Sequence, residues 1–389
     1  MIICVPKETQ AHEYRVGLTP DAVQTLVMDG HEVWVEHDAG FGIGKPDSEY
    51  LRAGANIANS AEEAYSRADL IVKVKGPSAS EIAYLTPTKT LIAFLHLASD
   101  ATLASNLLNS GATCIAYETV TDDARRLPLL APMSALAGRL SVQEASAYLR
   151  KHNGGMGVLL GGAPGVQPES VVIIGGGVVG SNACQMALSL GANVTLIEQS
   201  QALLRDLDRE FGGQVNCILP SPSLIEQYVS NAALVVGAVL VPGGRAARVI
   251  SSDLVKKMRS GAVIVDVAID QGGCCENSRP TTLDAPTFIV DGVIHYCVSN
   301  IPGAVPVTAT KAQTQAALPY IRELAGKGVA DALLDNPHLL NGVNVAQGHL
   351  TQKEAAEYLT LPFVSPATAI ASRGSSAHMP GAPDASLSH

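Results

Sequence analysis

The stretch SVVIIGGGVVGSNACQMALSLGANVTLIEQS, residues 170–200, decides the fold. A β-branched run breaks into three consecutive glycines and resumes as an apolar pattern of helical spacing, the sequence form of a strand, a tight turn and a helix. Gly175, Gly177 and Gly180 form G-x-G-x-x-G. The first glycine permits the turn, the second lets backbone approach a pyrophosphate, and the third lets helix and strand pack closely. Alone, that pattern also fits an ordinary glycine turn. Glu198 follows the next strand, 18 residues after Gly180, near the offset of about 20 at which an acid binds a ribose 2′-hydroxyl. A carboxylate there also repels a 2′-phosphate, so the stretch predicts a Rossmann unit that binds NAD rather than NADP. About 170 residues precede it, and their purpose has to be found.

The chain has 389 residues, enough for two or more cores. It is 47% hydrophobic but only 4% aromatic, so its interior is aliphatic, as in parallel sheets buried on both faces. A formal charge of −10, with no basic block to offset it, opposes nucleic acid and anionic membranes as partners. Small molecules are expected instead. The seven cysteines are odd in number, lack C-x-x-C spacing and lie mostly in apolar runs, which argues for reduced thiols over disulfides or a thiolate zinc site. The start, MIICVPKETQ, lacks the features of a signal peptide, and the longest apolar run, ALVVGAVLVP, is too short to span a bilayer. A cytoplasmic location is expected.

Residues 1–130 alternate short β-like runs (IICV, HEVWVE, DLIVKVK, TLIAFL, ATCIAY) with helical ones, the pattern of a parallel sheet covered by helices. A long helical stretch at 127–152 and a glycine-dense segment after it separate this set from a second, with VVII, NVTLIE, AALVVGAVLV, GAVIVDVAI, TFIV and VIHYCVS. After NIPGAVPVTAT the chain reads as wholly helical and too short for a third core. The expected class is α/β, with two Rossmann-like doubly wound parallel-sheet domains facing across a cleft. Residues 1–130 plus 307–365 form the substrate (catalytic) domain, 131–306 the NAD-binding domain, and 366–389, small, polar and Pro/Gly-marked, a disordered tail.

Lys75, His96 and Asp270 each fall at the carboxyl end of a strand, where ligands bind in open α/β sheets, and Arg15 follows the first strand. Singly they read as a strand running into solvent, a core histidine, a turn-forming Asp and a surface cation. Period 2 puts Lys73 on the same face as Lys75. Together they suggest two walls of one cleft, NAD on one and substrate-holding cations on the other. The residues ahead of the glycine motif supply the second wall.

Over roughly residues 1–365 the chain resembles the alanine dehydrogenase family, within the alanine dehydrogenase/transhydrogenase group. The stretches that carry the resemblance are PKETQAHEYRVGLTP, DLIVKVKGP, FLHLA, AYETV, LPLLAPMS, GVLLGGAPGVQP, VVGAVLVPG, VDVAIDQGGC and HYCVSNIPGAVP. It implies reversible, NAD-dependent oxidative deamination of L-alanine to pyruvate and ammonium by a homo-oligomer, usually a hexamer. Position by position it implies that Arg15 and Lys75 hold the substrate carboxylate and oxo oxygen, that His96 is the acid/base, and that Asp270 stands by the reacting water or ammonia. Physical chemistry agrees: a carboxylate needs paired cations, and proton transfer needs a group titrating near neutrality. Phe94, Leu130 and Met133 match the apolar lining for a methyl group. Besides the glycines, Ser134, Val178, Val179, Glu198, Ser221, Val239, Leu240, Val267, Asp270, Arg279, Val298, Asn300 and Ile301 fall where the family contacts NAD or its surroundings.

The chain departs from that pattern in places. Glu198 stands where Asp is common, Leu203 where a basic residue can touch the adenosine end, and Pro220 where Ser is frequent. Ala135, Lys311 and Gln315 replace a frequent Glu, an aromatic and an Asn. Lys327 occupies a position where some members pair a His with Glu323 around a divalent metal, and since an ammonium cannot ligate, no metal is expected. Two other readings share the fold. A non-catalytic dinucleotide-sensing module gives no reason for Arg15, Lys75, His96 and Asp270 to occur together, and a soluble transhydrogenase alpha-type subunit would not need the amino-acid site.

Overall fold

The computed structural model describes residues 1–239 and 246–375; Leu240 and residues 376–389 of the expected tail lie outside the described residues. The first sheet is built from β1 (Ile2–Val5), β2 (Glu32–Glu36), β3 (Asn56–Ala58), β4 (Leu70–Lys75), β5 (Thr90–Phe94) and β6 (Thr113–Ala116). The second contains β7 (Ser170–Ile174), β8 (Asn193–Ile197), β9 (Val215–Ile218), β10 (Leu234–Gly237), β11 (Val263–Asp266), β12 (Thr287–Val290) and β13 (Val293–Tyr296). Two late strands, β14 (Val343–Ala346) and β15 (His349–Leu350), return to the first sheet.

The strand orders are β15-β14-β6-β5-β4-β1-β2-β3 and β12-β13-β11-β10-β7-β8-β9. Counting only parallel strands from each sheet's own first, both read 3-2-1-4-5-6, the doubly wound order whose crevice opens between strands 1 and 4. Both units are therefore Rossmann-like. Period 2 distributes each strand between two cores: Ile3 and Val5 pack on one face and Cys4 on the other, and likewise Val171 and Ile173 oppose Val172 and Ile174.

Three expectations need correction. Neither sheet is purely parallel, because β12 pairs antiparallel with β13, and β14 antiparallel with β6 and β15. Two-residue turns with positive φ at both positions, Asp291-Gly292 and Gln347-Gly348, make these hairpins. The segment after residue 307 is consequently not wholly helical. Finally, Pro366–Ser375 is a helix where a disordered tail was expected. Ser365 accepts the Thr368 N–H at 3.2 Å and Pro366 follows it, a cap and first-turn pair, while Ala369 and Ile370 are buried in the first core.

The helix Ala131–Tyr148 joins the units, with Met133 in the first core and Leu140, Val142 and Ala145 in the second. A Cβ on Gly138 would lie 2.2 Å from the Val179 carbonyl oxygen, so this helix meets the one at Val178–Ser189 backbone to backbone. No described helix is long and apolar enough to cross a membrane.

Candidate active site

The three glycines have separable roles. Gly175 has φ +103°, and a Cβ there would lie 2.5 Å from the Ala238 carbonyl oxygen; one on Gly180 would lie 1.8 Å from that of Gly175. A Cβ on Gly177 would meet nothing within 4 Å among the described residues, and Gly177 precedes the helix Val178–Ser189, which has no side-chain cap among them. Free first-turn N–H groups beside open space suit a pyrophosphate. Glu198 is fixed over the turn: Oε2 accepts the Gly176 N–H and Oε1 the Ser200 N–H, both at 2.7 Å. These residues fit a dinucleotide.

The remaining cofactor candidates divide. Val239 and Val267 follow β10 and β11 at the same sheet edge and are half-buried, and Ser221 caps the helix Pro222–Asn231 through the Leu224 N–H. Ser134 lies in the first turn of the joining helix, and Val178 is exposed beside half-buried Val179. The Arg279 guanidinium sits 4.5 Å over the Phe288 ring. Val298 and Ile301 are buried in the second core, which leaves their backbone rather than their side chains to face a ligand.

On the opposite wall, Arg15 is only 3% exposed. Its Nε donates to Glu13 Oε1 at 2.6 Å and its Nη2 to Glu13 Oε2 at 2.5 Å and to Asn300 Oδ1 at 2.8 Å, while Nη1 lies 3.3 Å from Met133 Sδ. Arg15, Met133 and Asn300, predicted separately, thus meet. Leu130 packs against the same core as Met133 and Phe94. His96, in the left-handed region at φ 47°, stacks on Phe94 with centroids 6.0 Å apart, and Phe94 packs on Tyr117 at 5.1 Å.

Lys73 and Lys75 are put to different uses. The β4–β5 register shifts between Val72 and Lys75, and buried Lys73 pairs with Glu81 at 2.8 Å and Glu8 at 3.4 Å. Half-buried Lys75 instead acts on Asp270, from the other unit. Protein packed around that carboxyl raises its pKa above the usual range, opposed by the positive charges of His96 and Lys75 and by a hydrogen bond with Ser299. Its side chain still reaches solvent, as on the wall of a cleft. The structure therefore brings His96, Lys75 and Asp270 within electrostatic reach of one another.

Residues the sequence did not single out include Glu13 and Asp266. Asp266 is fully buried and accepts the Cys274 and Cys275 N–H groups at 2.9 and 3.1 Å and the Ser278 hydroxyl at 2.6 Å, fixing the loop after Asp270. The Lys327 ammonium lies 3.1 Å from Glu323 and 3.3 Å from Asp335, filling that acidic corner with a cation.

The N-terminal domain model of alanine dehydrogenase/PNT matches residues 4–137, and the C-terminal domain model matches 141–353. The chain belongs to the alanine dehydrogenase/PNT family. The family's division falls within the joining helix, beside Gly138. An alanine dehydrogenase from Halomonas elongata is 49% identical over 370 residues, covering 95% of this chain and 100% of the relative. One from Mycobacterium tuberculosis is 45% identical over 371 residues, with the same coverage of each chain. Among solved structures, an L-alanine dehydrogenase superposes with TM-score 0.88 at 47% identity, covering 92% of this chain and 99% of that one. A transhydrogenase from Sinorhizobium meliloti shares the alanine dehydrogenase/PNT fold at TM-score 0.76 and 24% identity, over 90% and 99% of the two chains.

Proposed function

We propose that this chain is an NAD-dependent L-alanine dehydrogenase, interconverting L-alanine with pyruvate and ammonium. The observation that carries the reading is the electrostatic meeting of His96 and Lys75 from one unit with Asp270 from the other. The relatives' names support the same substrate. Gly175, Gly177, Gly180 and Glu198 would hold NAD, which would supply the hydride acceptor for the substrate Cα.

Arg15 Nη1 and Lys75 hold the carboxylate, with the methyl group against Phe94, Leu130 and Met133. Loss of hydride from the neutral amine, the ammonium proton having passed to solvent, leaves an iminium ion. His96 takes a proton from the water that adds to the iminium carbon, and returns it to the departing nitrogen when the resulting carbinolamine collapses to pyruvate and ammonium. Lys75 donates to the developing oxygen, and Asp270 orients the water or ammonia. A second carboxylate, as in 2-oxoglutarate, would meet no partner among the apolar residues. The same reading makes the protein a cytoplasmic homo-oligomer, as a hexamer, which sedimentation would test.

The deciding assay follows NADH oxidation with pyruvate, with and without ammonium. Oxidation that requires both supports the reading. Oxidation with pyruvate alone would indicate a hydroxy-acid dehydrogenase instead, and no oxidation with either would favour the sensing module.

A further inference from the structure

We propose that Glu118 is a positioning residue that holds His96 in its working orientation, an inference that rests on the acid/base reading of His96 above. Glu118 lies in the short turn Tyr117–Thr119 that follows β6. Its Oε1 accepts the His96 N–H at 2.6 Å and the Leu95 N–H at 3.1 Å, and its Oε2 is 3.3 Å from the latter. No ion pair to a cation accompanies Glu118 among the described residues, so two successive backbone amides are what stabilise this half-buried carboxylate.

His96 has φ 47° and ψ 43°. That region is sterically disfavoured for any residue with a Cβ, and it persists only where the surroundings over-determine it. It also turns consecutive N–H groups toward one point, forming a concave anion site of the kind that binds phosphate or carboxylate groups. Here the concavity is filled from within, by Glu118. With the backbone so held, the His96 ring lies nearly parallel to Phe94, at 10°.

The support extends one step further back. Thr119, next to Glu118, accepts from Asn344 Nδ2 at 2.7 Å, and Asn344 is buried on β14. Strand β14 thereby steadies the turn that carries the carboxylate. Removing the carboxylate leaves two amides without a partner and frees His96 to relax toward a right-handed or extended backbone, which takes the ring away from the cleft.

The test compares Glu118→Ala, Glu118→Gln, His96→Ala and the double variant Glu118→Ala/His96→Ala by kcat, pyruvate KM, NADH affinity and melting temperature. Glu118→Ala should lower kcat about 10- to 10²-fold, the scale of an ångström-sized misplacement, with pyruvate KM and NADH affinity unchanged. Glu118→Gln, whose amide oxygen still accepts one N–H, should retain part of that loss and serves as the readout where the alanine variant fails to fold. In the His96→Ala background, Glu118→Ala should cost nothing further. A full additional loss in that background, an unchanged kcat, or a loss of NADH binding in step with kcat each overturns the proposal while leaving the role of His96 standing. Unchanged turnover in His96→Ala alone overturns both.

Discussion

Arg15 and Asn300 bind the two units together at the cleft, with Arg15 Nη2 donating to Asn300 Oδ1 at 2.8 Å and Asn300 Nδ2 donating in turn to Glu13 Oε2 at 3.0 Å. Glu13 occupies the Nε–Nη2 edge of the guanidinium, so Nη1, beside Met133, is the end left for a substrate carboxylate. A lysine keeps the charge but cannot reproduce this fork. Arg15→Lys should raise pyruvate KM by about 10- to 10²-fold, equivalent to losing charge-assisted hydrogen bonds of roughly 1.5–3 kcal/mol. NADH affinity, measured by fluorescence titration, should be unaffected. An unaltered pyruvate KM would take Arg15 out of the substrate site.

Glu198 is held by two backbone N–H groups at the glycine turn, so its charge cannot move aside for a 2′-phosphate. NADH should exceed NADPH in kcat/KM by about 10²-fold or more, since like charges placed together cost several kcal/mol. Glu198→Gln should narrow the gap. Equal use of both cofactors by the unaltered protein would contradict the assignment.

The glycine turn allows two substitutions with opposite signatures. Gly177→Ala places its methyl in open space and should leave the melting temperature unchanged while weakening NADH binding, because the methyl stands where a pyrophosphate approaches. Gly180→Ala drives a Cβ onto the Gly175 carbonyl and should destabilise the fold by about 1–3 kcal/mol or more. Normal NADH binding in Gly177→Ala would place the cofactor elsewhere.

His295 is fully buried, stacked 5.1 Å from Phe288, and neither ring nitrogen has a hydrogen-bond partner among the described residues. Burial pushes its pKa down from 6.5 to about 4. Between those values the unfolded chain binds a proton that the folded chain does not, so stability is complete above pH 6.5 and falls as pH drops toward 4. The shift corresponds to about 3 kcal/mol at about 1.4 kcal/mol per unit. Urea midpoints at about pH 7 and pH 5 should differ less in His295→Phe than in the unaltered protein. An identical difference in both would assign the acid sensitivity to other groups.

Much of the fold was legible because strand alternation is local: Ile3, Cys4 and Val5 announce two cores by themselves, as do Val171 to Ile174. The antiparallel edge at β12 was legible too, in the two-residue Asp-Gly between TFIV and VIHY, but the run of parallel units around it concealed the hairpin. Strand β14 was not, since VNVA is short and its partner β6 lies more than 200 residues earlier. In the site, Lys75, His96 and Asp270 stood out as polar residues ending apolar runs. Glu13 and Glu118 did not, because their partners, the Asn300 amide and the His96 N–H, reach them only through tertiary structure. The bulge that parts Lys73 from Lys75 likewise has no local mark.

The late arrival of β14 and β15 in the first sheet has a consequence for the order of events at the ribosome. The second sheet is one uninterrupted stretch, from β7 to β13, and has all its strands once that stretch has left the exit tunnel. The first begins at Ile2 yet lacks β14, with the Asn344 that steadies the turn beside Glu118, until residues 343–346 have been made. Its six leading strands wait with the β6 edge unpaired while more than 200 further residues are translated, at about 5–20 residues per second. The nascent chain thus completes the sheet that carries the glycine turn before the sheet that carries Lys75 and His96, although the latter was begun first.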